Sequence, residues 1–249
     1  MSTMEQAALW VRVGGGLEEV GSGRRHGPAD PEFPPPGGPW SELRHNGRLV
    51  GWASPDTMSR TSVRRAEEEG ARLIQERRAY LLRRLGHKLR SSVLALQESA
   101  RQAAFGRQEL FEEIHDQALD VARRAFALEA VALDPVDPAR AVVVGAVLNL
   151  AAPGAHRTLP QDAVVRAPEP VLVEALTRAY EWMGGPGASI RGNLEGRWWR
   201  LEIDASPERR PLAIPELGEP LVRYLVDARL EGWLDVSRHE PAIIYLPAG

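Results

Sequence analysis

From Ser59 to Ala104 the chain carries no proline, and its charged and apolar residues recur at helical spacing. Arg64, Arg65, Glu67, Glu68, Glu69, Arg72, Glu76, Arg77 and Arg78 crowd the first half. Leu82, Leu85, Leu89 and Leu96 follow in steps of three and four, with Ser92 filling the gap. That pattern predicts one helix of about 45 residues with a seam for another helix, since so long a helix needs a coiled partner. Phe105-Gly106-Arg107 breaks it, and Phe111, Ile114, Ala118, Val121, Ala125, Leu128 and Ala132 predict a second, antiparallel helix after a short connection. One hairpin has too little core of its own. The spacing therefore predicts that two copies pair as a four-helix bundle across Leu82, Leu85, Leu89, Leu96, Phe111, Ile114 and Leu128. Packing of the hairpin on the C-terminal part of the chain is the competing arrangement.

The flanks are different in kind. Ala7 to Val13 reads as a strand, and Gly14 to Gly38, dense in Gly and Pro, reads as a loop that cannot bury enough surface to order itself. Ser41 to Arg44 and Leu49 to Trp52 predict a hairpin around His45-Asn46-Gly47-Arg48, because Asn-Gly favours a type I′ turn. Ser54-Pro55-Asp56-Thr57 is a helix-start signal. Beyond Asp134-Pro135-Val136-Asp137-Pro138, which closes the hairpin, helix and strand signals alternate. Helices are expected at 139–150, 170–183 and 219–231, and strands at 163–166, 189–194, 197–203, 233–236 and 242–246. The fold class expected is α+β: a long helical hairpin followed by an α/β sandwich with helices on one face of a mixed sheet. The divisions are 1–56, a small β-rich region with a Gly/Pro-rich loop; 57–133, the hairpin; and 134–249, the sandwich.

Bulk properties remove several classes of function. A formal net charge of −3 gives no ground for nucleic-acid binding. There are no cysteines, which removes thiol catalysis and thiolate metal sites and fits a reducing cytoplasm. The six histidines are scattered without paired spacing, so no metal is expected. No run approaches 18 apolar residues and no signal layout opens the chain, so the expectation is a cytoplasmic protein with no membrane partner.

Counting Leu82 as the first heptad position puts His87 at the sixth, furthest from the seam. A histidine on a helix surface is usually only solvated, but a free imidazole there is also a nucleophile at neutral pH. The run His87-Lys88-Leu89-Arg90-Ser91-Ser92-Val93 resembles the phospho-acceptor box of sensor histidine kinases, which typically reads His-Glu-Leu-Arg-Thr-Pro-Leu. His87, Leu89 and Arg90 match, and Ser91 stands for Thr or Asn, while Lys88 and Ser92 replace the acid and the proline. The resemblance extends in order over about residues 60 to 249, through Asp134-Pro135-Val136-Asp137 and the stretch from Leu217 to Val236 that looks like the family's last glycine box, helix, turn and strand. It implies that the hairpin is a dimerisation and phospho-acceptor unit and the sandwich an ATP-binding domain. The N-terminal strands resemble a remnant of a PAS or GAF sensory domain, with a ligand-free β cap as the competing reading.

The departures fall on the nucleotide site. The helix 173–183 has no Asn, the strand Leu201 to Pro207 ends at Asp204 without the glycines that let backbone approach a nucleotide, and only Gly218 remains of the last glycine box. Glu219 and Pro220 after it oppose phosphate binding. Lys88 also replaces the acid that helps extract the histidine proton. The expectation is thus no cofactor. The resemblance, so altered, implies a histidine phosphotransferase exchanging phosphoryl groups with response-regulator receiver domains through His87. Arg90 would face the phosphate, and Ser91 would orient a water if receivers are also dephosphorylated. The alternatives are a non-catalytic pseudokinase that binds receivers or kinases, and an atypical active kinase.

Overall fold

The computed structural model describes residues 9–13, 16–19, 25–26, 41–46, 48–53, 60–105, 107–132, 139–196, 198–207, 215–236 and 241–249. The helix-start signal at 54–57 and the closing prolines Pro135 and Pro138 lie outside them.

Five short strands open the chain: β1 (Leu9–Val13), β2 (Gly16–Glu19), β3 (Arg25–His26), β4 (Ser41–His45) and β5 (Arg48–Ala53). They form an antiparallel sheet in the order β3-β2-β1-β5-β4. β4 and β5 are the expected hairpin, His45 facing Arg48 across the turn, with Asn46 in the left-handed region at φ 50°. β2 and β3 correct the loop expected between Gly14 and Gly38. Folding β2 back along β1 satisfies a ladder edge that would otherwise stay open, which composition does not register.

Helix α1 runs from Arg60 to Ala104, 45 residues, and α2 from Phe111 to Ala132. The two are antiparallel neighbours, crossed by Ser92 Oγ to Asp120 Oδ2 at 3.3 Å and Ser99 Oγ to Glu113 Oε1 at 3.4 Å. Arg78 of α1 donates to the terminal carbonyls of α2 at Val131 (3.0 Å) and Ala132, placing a cation where unpaired C=O groups collect. The inner face of α2 is Ile114, Gln117, Val121, Arg124, Ala127, Leu128 and Val131, whereas Phe111, Ala118, Ala125 and Ala132 face outward. Four of the seven positions expected in the α2 seam therefore point away from α1.

The remaining chain is a mixed sheet covered by helices. β6 (Arg140–Val143) pairs with β8 (Val164–Ala167), and α3 (Val144–Ala151) lies between them in sequence. The helix expected from Ala139 starts only at Val144. The β-branched pair Val142-Val143 is stiff at χ1 and goes into the ladder first, burying Val142 and exposing Val143. β7 (His156–Thr158), β9 (Ser189–Glu195), β10 (Trp198–Asp204), β11 (Trp233–Asp235) and β12 (Ala242–Pro247) form the main sheet in the order β11-β12-β10-β9-β7. Only β7 and β9 are parallel within it. On one face Trp199, Leu201 and Ile203 stand opposite Leu246, Ile244 and Ala242, all buried. Against this side pack α4 (Glu169–Trp182), α5 (Glu219–Tyr224) and the π-helical turn Leu225–Arg229, in one core with α3.

That core also takes in Leu81, Leu85, Ala127 and Val131 of the hairpin, with Leu82 and Leu128 packed on its edge. Leu85, expected at a dimer interface, is completely buried within its own chain. The competing intramolecular arrangement thus holds for this end of the hairpin. Polar links frame it: Arg178 Nη2 donates to Arg123 O at 3.0 Å, Arg229 Nη1 to Ala130 O at 3.0 Å, and Arg77 lies 3.7 Å from Asp227. Burial lowers the Arg77 guanidinium, with the Asp227 charge opposing that shift. Glu174, beside buried Arg178, is pushed above the usual carboxylate range by its own burial.

The N-terminal sheet is fixed at two points. Leu43 and Val50 pack on Val63, Ala71, Leu73 and Ile74 of α1, so closely that a Cβ on Gly70 would meet Val50 Cβ at 2.9 Å. Arg44 forks onto both oxygens of Glu231 at 2.8 and 2.9 Å, and Leu49 N donates to the same carboxylate at 3.2 Å. Glu231 holds φ 53°, and Gly232 after it leaves no room for a side chain: a Cβ there would sit 2.3 Å from Tyr245 O. Gly232→Ala is expected to cost about 3 kcal/mol, read as a lowered midpoint in urea unfolding, because backbone rather than a flexible side chain would have to move. Among the described residues no helix is long and apolar enough to cross a membrane.

Candidate functional site

His87 lies on the exposed side of α1, two residues past the last leucine the C-terminal core buries. A helix turns 100° per residue, so Leu85 pointing into that core carries His87 out to solvent. Among the described residues no hydrogen bond engages the imidazole. Tyr80 and Leu94, seven residues to either side, share its face and are exposed, at 47% and 59%. Arg83, Arg84 and Arg90 are exposed around it. Ser91 Oγ donates to the His87 carbonyl at 3.1 Å, the ordinary bond from a helical serine to the preceding turn. The hydroxyl's donor is thereby used while its acceptor lone pairs remain. His87, Arg90 and Ser91 thus share one exposed turn of α1.

The reverse side of that turn is polar too. Arg124 of α2 donates to Lys88 O at 2.8 Å and pairs with Asp120 at 2.6 Å, and Asp120 accepts from Ser92. The Arg124 side chain is only 11% exposed, and its Nε is buried without a partner among the described residues. Sequence reasoning missed Asp120 and Arg124. The signal was the polar gap at Ser92, which asks for a polar group at the same level of the facing helix.

On the hairpin's outside, Phe111, Leu119 and Phe126 are exposed at 60%, 45% and 61%. The register set by Ser92–Asp120 and Lys88–Arg124 puts Phe126 level with Gly86, beside His87.

In the second unit, Asp204 accepts from Ser189 Oγ at 2.9 Å and Arg191 Nη2 at 3.0 Å, so its carboxylate is engaged within the sheet. The segments on either side of that strand end are sealed together. Ser206 N donates to Met183 O at 2.9 Å, both residues are buried, and a Cβ on Gly187 would meet Ser206 Oγ at 2.8 Å. Glu219, at the start of α5, is held by Arg223 of its own helix at 2.8 Å. A carboxylate at a helix start repels phosphate. No group of three or more His, Asp or Glu able to hold a metal ion occurs among the described residues.

No family model matches the chain. Nor does any curated protein. Among solved structures it is similar to the Acinetobacter baumannii histidine kinase AdeS, at 17% identity and a TM-score of 0.45 over 65% of this chain and 97% of that one. It is also similar to the histidine kinase ThkA, solved in complex with the response regulator protein TrrA, at 15% identity and a TM-score of 0.49 over 97% of this chain and 78% of that one. A histidine kinase from Burkholderia phymatum STM815 matches at 13% identity and a TM-score of 0.31, over 77% of this chain and 99% of that one.

Proposed function

We propose that this chain is a cytoplasmic two-component signalling protein that exchanges phosphoryl groups with response-regulator receiver domains through His87, without ATP. The observation that carries the reading is the exposed imidazole on a rigid helix whose other side is anchored, within a sequence resembling the phospho-acceptor box. A neutral ring nitrogen attacks the phosphorus of a receiver's aspartyl phosphate. The P–N bond forms as the O–P bond breaks, aspartate leaves as carboxylate, and the proton on the other ring nitrogen passes to water. Arg90 faces the incoming phosphate, and the free lone pairs of Ser91 suit orienting a water for hydrolysis on the receiver. The sealed strand end and the Glu219 carboxylate support excluding ATP as donor. The test offers the protein two labelled donors in turn, a phosphorylated receiver and ATP with Mg²⁺. Label is expected from the first and none from the second, and calorimetry should detect no ATP binding. Label from ATP would instead mean an atypical kinase. A receiver that binds without giving up label would favour a pseudokinase regulator.

The exposed Phe111, Leu119 and Phe126 support pairing of two copies through the outer face of the hairpin, in place of the Leu85 seam. Sedimentation at micromolar concentration should give a dimer, and Leu119→Asp with Phe126→Asp a folded monomer. A wild-type monomer would contradict this.

A further inference from the structure

Two packed helices joined by an apolar seam slide and rotate on each other at little cost, because apolar contacts carry no direction. A polar group inside the seam changes that, since it must meet its partner or stay unsatisfied in a low dielectric. The seam of α1 and α2 contains such a layer at the level of His87, apart from the Ser99–Glu113 link nearer the hairpin's turn. Ser92 Oγ bonds Asp120 Oδ2 at 3.3 Å, Asp120 pairs with Arg124 at 2.6 Å, and Arg124 Nη1 reaches Lys88 O at 2.8 Å. The arginine is 11% exposed, its Nε is unpartnered among the described residues, and this arrangement is a poor way to gain stability. What it supplies is direction. Lys88 O belongs to the residue after His87, so holding that carbonyl against α2 fixes the rotation of α1, at 100° per residue, where the imidazole leaves the helix. Ser92 occupies the position at which the resembled phospho-acceptor box carries proline. Unlike proline it keeps its backbone N–H, and it adds a hydroxyl to the layer.

We infer that Ser92, Asp120 and Arg124 form a register pin that sets the orientation of the His87 turn, with Asp120 and Arg124 acting as positioning residues for phosphoryl transfer. The transfer role rests on the reading of His87 as the acceptor; the pin itself does not.

A pin of this kind separates stability from activity. Asp120→Leu with Arg124→Met replaces the largely buried arginine and its part-exposed carboxylate by apolar groups and is expected to unfold at the same temperature as wild type or higher. The same variant should take phosphoryl groups from a phosphorylated receiver at least tenfold more slowly, while Arg124→Lys, which keeps a donor and a charge, stays near wild type. The chain has no cysteine, so spin labels at Arg101→Cys and Glu129→Cys, both exposed, report the helix register directly. Diluted with unlabelled protein, they should give one narrow distance in wild type and a broadened one in the apolar variant. If that variant aggregates, Asp120→Asn with Arg124→Gln removes both charges and the arginine's reach to Lys88 O and serves with the same readouts. An unchanged narrow distance overturns the pin. A broadened distance with wild-type transfer, or a rate that falls only together with thermal stability, overturns the positioning role. Wild type that accepts no label from any receiver sinks the reading of His87, and the distance measurement then decides the pin alone.

Discussion

His87→Ala is expected to fold and assemble as wild type does and to accept essentially no phosphoryl group. The side chain is exposed, makes no hydrogen bond among the described residues and fills no core, so its loss should stay within about 0.5 kcal/mol in stability. Transfer, by contrast, has no other imidazole on that turn. The Arg90 guanidinium offers only donors, and the Ser91 hydroxyl proton is already directed at a backbone carbonyl. Label from a phosphorylated receiver should fall about a thousandfold or more, to the background of the assay. His115→Ala, exposed on α2, is the control and should transfer normally. Retained transfer in His87→Ala would remove catalysis from this residue.

Leu85→Asp should have the largest effect on stability of any change in the hairpin. Leu85 is fully buried where hairpin and C-terminal unit share one core, between Leu81, Ala127 and Val131. A carboxylate there loses the packing of a leucine and leaves an unpaired polar group in an apolar setting, a combined cost of about 4–5 kcal/mol. Unfolding in urea should begin at distinctly lower denaturant, with the hairpin detached from the C-terminal unit in hydrogen exchange. Leu94→Asp, on the exposed His87 side of the same hairpin, should leave the midpoint almost unchanged. Equal loss in both variants would mean that the outer face is as buried as the inner one.

The parts legible in the sequence are those set by local rules. The proline-free stretch located α1 to within a residue of Arg60–Ala104, and Asn46-Gly47 located the β4–β5 hairpin, because torsional preference needs no knowledge of the rest of the chain. His87 was legible as an exposed position because heptad counting gives the rotation of a straight helix. What covers an apolar seam was not legible. Leu82 and Leu85 suit a second copy and a C-terminal core equally well, and only the fold decides between them. Phe111, Ala118, Ala125 and Ala132 were misplaced for a related reason: on an alanine-rich helix two adjacent stripes carry the same period, and Gln117 and Arg124 disguise the inner one. The π-helical turn at Leu225–Arg229 is tied to Arg77 and Ala130 through Asp227 and Arg229, and the left-handed Glu231 answers to Arg44, all far away in sequence. No local pattern announces them.

The central claim is that one histidine on the hairpin takes a phosphoryl group without ATP. The direct measurement exposes the purified protein to a phosphorylated receiver with ATP omitted, quenches at alkaline pH and maps the modified peptide by mass spectrometry. The account predicts one acid-labile phosphoryl group, on His87, appearing as the receiver loses its own. A phosphoryl group on any other residue, or a receiver that loses phosphate while His87 stays unmodified throughout, would contradict it.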